Sequence, residues 1–89
     1  MKYEWDENKR VANIAKHGVD FIDAENFDWS SAIETIDDRF NYSEEWWIAL
    51  GFIGNRLHVL TYTAHGENIR LISLRKANER EKEYYEEKT

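Results

Sequence analysis

Lys16-His17-Gly18 is the first place in this chain where residue type and spacing point to chemistry. An imidazole exchanges protons near neutral pH, so His17 suits a general acid or base, and Lys16 beside it suits a phosphate anchor. The same triplet is also an ordinary basic helix terminus, where cations complement the negative end of the macrodipole. A second group, Asp38-Arg39 and Tyr42-Ser43-Glu44-Glu45, precedes an aromatic run. There Arg39 either neutralises its acidic neighbours or holds a phosphate near a basic carboxylate such as Glu45. The third group is Arg70, Arg75, Lys76 and Arg80, continued by Tyr84. Arginine forks, a lysine point charge and an aromatic face suit a phosphodiester with a stacked base. Glu79, Glu81 and Glu83 interleave with them, and ordinary intrahelical ion pairs have the same pattern.

Other chemistries have no footing. No Walker loop, dinucleotide glycine fingerprint, zinc-protease helix or EF-hand occurs. The three histidines, at 17, 58 and 65, are too scattered for the three or four convergent ligands of a metal site. With no Cys there is no disulfide and no thiolate nucleophile. No metal and no cofactor are expected.

The elements that position these groups follow from the apolar spacing. Eighty-nine residues, 42% apolar and 15% aromatic, suffice for one core, so residues 1–89 are read as a single domain. Lys2 to Trp5 alternate as a short strand with Tyr3 and Trp5 on one face. Asp6 is placed to cap a helix carrying Val11, Ile14 and Ala15 inward and Lys9, Arg10 and Asn13 outward, stopped by Gly18. Asp20 caps a second short helix with Phe21, Ala24 and Phe27 on its apolar side. Four strands follow: Ala32 to Asp37, Trp46 to Phe52, Arg56 to Thr63, and Asn68 to Ser73. In the third of these, Leu57, Val59 and Thr61 oppose His58, Leu60 and Tyr62. A helix from Lys76 onward closes the chain. This predicts an α+β domain: a small antiparallel sheet with two N-terminal helices and one C-terminal helix.

The net charge of −6 is opposite in sign to that of most nucleic-acid binders. It is unevenly spread. From Asp20 to Glu45 there are nine acids and one base, Arg39, whereas Arg56 to Lys82 holds six bases against three acids. No run reaches the roughly 20 apolar residues that span a bilayer, and the first residues lack a signal-peptide core. A cytoplasmic protein is expected.

Several stretches together resemble the BrnT toxin family. They are Tyr3-Glu4-Trp5-Asp6-Glu7-Asn8-Lys9 with Asn13, Lys16-His17-Gly18-Val19, and Phe21 with Ala24. In the middle, Asp38-Arg39-Phe40, Tyr42, Glu44-Glu45 and Trp47-Ile48-Ala49-Leu50-Gly51 continue the likeness. Near the end, Ile69-Arg70-Leu71-Ile72-Ser73-Leu74-Arg75-Lys76-Ala77, Glu79-Arg80 and Tyr84 complete it. The family commonly reads Tyr-Gly-Glu-x-Arg before the tryptophan strand, where this chain has Ser43 and Trp46, which removes one candidate phosphate contact. The resemblance implies a RelE-like fold and a type II toxin that cuts RNA without a metal. It implies a BrnA-like ribbon-helix-helix antitoxin as partner, with operator DNA reached only through that antitoxin, and no membrane role. The alternative is a catalytically weak or inactive toxin-fold module that docks a basic antitoxin.

On this reading His17, Glu45, Arg75 and Arg80 are the catalytic candidates. Lys16, Arg39, Arg70, Lys76 and Tyr84 hold the substrate. Simple strand parity puts Arg70 on the face of Ile72 and Leu74. Lys76, Arg80 and Tyr84, spaced by four, share one helix side. Arg70 and Arg75 are then expected beside the start of the last helix, facing His17 or Glu45 across a cleft, with Glu79 and Glu83 turned away.

Overall fold

The computed structural model describes residues 2–38 and 44–89; Arg39, Tyr42 and Ser43 lie outside them. In chain order the elements are β1 (Lys2–Glu4), α1 (Glu7–His17), two 3₁₀ helices (Phe21–Asn26 and Trp29–Ser31), β2 (Ile33–Asp37), β3 (Trp46–Ile53), β4 (Arg56–His65), β5 (Asn68–Lys76) and α2 (Glu79–Lys88). Among the described residues no helix is long and apolar enough to cross a membrane.

The helix signals act where the sequence put them. The Asp6 carboxylate accepts from the amide of Asn8, and Gly18 ends α1 at φ 70° with its own amide on the Ile14 carbonyl. Asp20 likewise accepts from the amide of Ile22. The segment it caps, however, is a six-residue 3₁₀ helix and not a second α-helix. It is short enough for the tighter winding, and packing of Phe21, Ala24 and Phe27 holds it in place.

The sheet runs in the order β1-β5-β4-β3-β2. Strands β2 to β5 form the expected antiparallel meander. The sheet is nonetheless mixed, because β1 lies parallel to β5, with Tyr3 opposite Ile69. A three-residue strand is free to pair in either sense, and α1 returns the chain across the sheet.

Both faces of the sheet are covered. On the first, Leu60, Tyr62, Leu71, Leu74 and Ala49 meet Phe21, Ala24 and Phe27, with Tyr3, Trp5 and Trp29 packed around them. On the second, Leu50, Leu57 and Val59 meet Tyr85 of α2 and Ala77. The Tyr85 ring stands edge-on to Phe52, and its hydroxyl donates to the Ser31 carbonyl at 2.8 Å. Strand β5 runs to Lys76, beyond the expected Ser73, because Arg75 and Lys76 still pair with Val59 and His58. Helix α2 therefore starts later, capped by Asn78. Lys76 belongs to the strand and not to the helix.

Gly51 is the tightest point of the first face. A Cβ there would sit 2.7 Å from Cζ of Phe27 and 3.2 Å from Cβ of Ala32. Gly51→Ala is expected to destabilise the fold by about 1–3 kcal/mol through overpacking. Urea unfolding measures it, and an unchanged midpoint would show that Phe27 moves freely.

Candidate functional site

The site begins with an irregularity in β5. Thr61 pairs with Ser73 and Tyr62 with Leu71, so Ile72 is an extra residue between them. One extra residue inverts side-chain parity along the rest of the strand. Arg70, Ser73 and Arg75 therefore share the second face, opposite Thr63, Thr61 and Val59, while Leu71 and Leu74 both enter the first core. This corrects the simple parity that set Arg70 beside Leu74.

Among the described residues β1 pairs only with Asn68 to Arg70, which leaves the far edge of β5 beyond it to another partner. That partner is Asn13. Its Nδ2 donates to the Leu74 carbonyl at 2.7 Å and to the Val19 carbonyl at 2.8 Å, and its Oδ1 accepts from the Leu74 amide at 3.1 Å. The expected inward face of α1 is thus corrected. Asn13 is its buried residue, while Val11 is 58% exposed and Ile14 37%. A single amide that satisfies a strand edge outweighs the weak preference for burying Val11.

Docked this way, the end of α1 faces the bulge. Lys9, Ala12, Lys16 and His17 line a groove of about 230 Å³ with Ile72 and Ser73 across it. His17 is half-buried, and burial pushes its imidazole below the ordinary value, with the charges of Lys16 and Arg75 adding to the effect. The ring is therefore neutral at pH 7 and able to accept a proton.

Arg75 is held in place. Its Nη1 and Nη2 donate to Glu81 Oε1 and Oε2 at 2.9 and 2.7 Å. Glu81 also accepts from the Asn78 amide at 2.8 Å, completing a capping box at the start of α2. The Arg75 guanidinium, first among the causes, holds the Glu81 carboxyl below the usual range. One bidentate pair thus joins the last helix to the strand.

The remaining candidates lie elsewhere. Arg70 turns to Glu4 at 3.5 Å, and Glu4 also accepts from Asn68 at 3.1 Å and meets His65. Arg70 stands opposite Thr63 and Arg75 opposite Val59, about 13 Å apart along the ladder, so the two arginines do not converge. Glu45 sits at the Arg70 end, where its carbonyl accepts from the Thr63 hydroxyl at 2.7 Å. Lys76 is exposed and, by its pairing with His58, on the opposite face from Arg70 and Arg75. Arg80 is exposed in the first turn of α2, and Tyr84, 42% exposed, borders a different groove.

The structure therefore joins Lys16, His17 and Arg75, and adds Lys9, Asn13 and Ser73, which sequence reasoning did not choose. Asn13 alone left a trace, as a poor helix former in mid-helix. Residues 5–81 match the family model described as the ribonuclease toxin BrnT of type II toxin–antitoxin systems. The chain belongs to the BrnT family. The match runs from Trp5, just past β1, to Glu81 in the first turn of α2, so it takes in the whole Lys16–His17–Arg75 edge, while Tyr84 lies beyond it. Comparison with curated proteins returns no match.

Asn13→Ala leaves the Leu74 amide and two carbonyls without their buried partner. The expected loss is about 2–4 kcal/mol, read by chemical denaturation. A loss as small as that of Val11→Ala would refute the edge-pairing role.

Proposed function

We propose that this chain is a metal-independent endoribonuclease toxin with a RelE-like fold, formed by one domain over residues 1–89 and neutralised in the cytoplasm by a BrnA-like antitoxin. The observation that carries the reading is the neutral, half-buried His17 in a groove rimmed by Lys9 and Lys16 and close enough to Arg75 to feel its charge. In that groove RNA lies with a phosphate against Lys16 and Lys9. His17 takes the proton of the ribose 2′-hydroxyl as its oxygen attacks the adjacent phosphorus. The bond to the 5′-oxygen breaks, that oxygen leaves with a proton from solvent, and a 2′,3′-cyclic phosphate remains. Arg75 and Lys16 stabilise the charge that develops on the phosphate oxygens. Arg70, tied to Glu4, Lys76, on the opposite face, and Arg80, on α2, have no part in this scheme. Glu45, at the other end of the sheet, has no proton-transfer part in this scheme.

A second reading has one observation behind it. Arg75 is already matched by Glu81, in a chain of net charge −6, as befits a module that binds an antitoxin and cuts RNA poorly. Expression of the chain alone in bacteria separates the two: growth arrest supports the enzyme, and normal growth with good yield supports the module.

Purified protein is expected to cleave bulk RNA in EDTA, and His17→Asn to lower the rate about 10²–10⁴-fold with the fold intact. Loss of wild-type cleavage on chelation would overturn the scheme. The pH profile gives an independent check. Because the His17 pKa is lowered, its base form persists as pH falls, so the acid limb should lie below the ordinary imidazole value of about 6.5. Lys16→Met removes one cause and should move that limb upward, whatever it does to the rate at the plateau.

A further inference from the structure

Strand β2 ends the sheet, and among the described residues it pairs only with β3. Its outer backbone groups form a template onto which another strand can add. On the second face, β2 also forms the wall of a groove of about 160 Å³. Ile33 and Thr35 stand on one side, Ile48, Leu50 and Val59 form the floor, and Tyr84 of α2 closes it. This groove is apolar except for Thr35 and Glu81, the carboxylate that holds Arg75.

The exposed charges at β2 itself are acidic, while across the groove Lys88 lies 5.6 Å from the Tyr84 ring centre and Arg75 is matched by Glu81. Glu34, Asp38, Glu44 and Glu45 are exposed along or just beyond the β2 and β3 ends, within the stretch of nine acids and one base. Such a rim repels a phosphodiester and favours a cationic peptide. We infer that the outer edge of β2 over Ile33 to Ile36, unpaired among the described residues, and the groove beside α2 dock the antitoxin through a strand of alternating apolar and basic residues.

The alternation follows from the pleat. Residues of the added strand on the second face extend the row of Ile33 and Thr35 and drop apolar side chains toward Tyr84 and Ile48. Residues between them lie on the first face beside Glu34, whose carboxylate accepts the Tyr62 hydroxyl and offers its remaining lone pairs to a cation. An occupant here lies one ion pair away from Arg75 and leaves the His17 groove on the opposite margin of the sheet open. RNA and antitoxin then use separate surfaces of different charge.

This inference rests on the toxin reading above. Its test uses the full chain co-expressed with a BrnA-like ribbon-helix-helix antitoxin. Amide hydrogen exchange of the purified complex is expected to protect Ile33 to Asp37. Thr35→Arg, at an exposed position outside the proposed active site, is expected to weaken the complex on the order of 100-fold and leave RNA cleavage by the free chain unchanged. Val11→Arg, on the exposed side of α1, is expected to change neither. If Val11→Arg breaks the complex while Thr35→Arg does not, or if β2 gains no protection in a complex that still forms, the docking surface is wrong and the toxin reading stands. If the wild-type chain forms no complex with that protein, the toxin reading falls and takes this inference with it.

Discussion

The carboxamide of Asn13 is the constraint on which the arrangement of this molecule depends. Strand β5 is nine residues long and β1 only three, so among the described residues most of one strand edge faces no strand. A buried amide and carbonyl at that edge would together cost several kcal/mol without partners. Asn13 supplies both partners at Leu74, as one residue of a neighbouring strand would, and spends its second donor on Val19 just past the helix. Because three bonds converge on one side chain, α1 has a fixed height and rotation against the sheet. His17 is one helical turn further on, so its position is set by the same three bonds.

The bulge at Ile72 is the second half of that arrangement. Without the extra residue, strand parity would turn Arg75 into the first core, where Leu74 now lies. With it, Leu71 and Leu74 are both buried, and Arg75 emerges on the second face to meet Glu81. Glu81 has two tasks that reinforce each other. It completes the cap of α2, which fixes the carboxylate, and the fixed carboxylate holds the guanidinium near the end of α1. The position of Arg75 relative to His17 is thus the result of two local devices, a bulge and a capping box, acting from two elements.

These devices mark the limit of what the sequence discloses. Asp6, Asp20 and Gly18 are legible because caps and left-handed turns demand particular residue types, and each is found in its role. Alternation along Leu57 to Tyr62 is legible because β4 has its two faces in two different cores. The family is legible as well, since its motifs lie in order along the matched residues. The bulge is not, because Ile72 and Ser73 are unremarkable as residues and the shift arises from pairing with β4. Nor is the inward turn of Asn13, since its partner is sixty-one positions away and hydrophobic spacing argues for Val11 and Ile14. The convergence assigned to Arg70 failed on distance, because the bulge sets Arg70 on the face of Arg75 but four positions away along β4. There Glu4, brought close by the parallel β1, supplied a carboxylate that strand order alone does not place.

Net charge, the feature least in keeping with an RNA-cutting protein, is better judged by location than by sum. Lys9, Lys16 and Arg75, the cations of the proposed scheme, stand along the β5 margin and α1, while Glu34, Asp38, Glu44 and Glu45 are exposed on β2 or just beyond the β2 and β3 ends. At physiological salt the Debye length is about 8 Å, so charges on opposite margins of a five-stranded sheet are largely screened from each other. A phosphate approaching Lys16 therefore meets a local positive field and not the molecule's average. Arg75 with Glu81 sits between the two regions and is electrically neutral as a pair. What remains near His17 as free positive charge is chiefly lysine, a mobile point charge that places a phosphate less rigidly than a guanidinium fork does. Geometry at this site thus comes from the α1–β5 clamp rather than from the cations, which ties any activity of His17 to the integrity of Asn13.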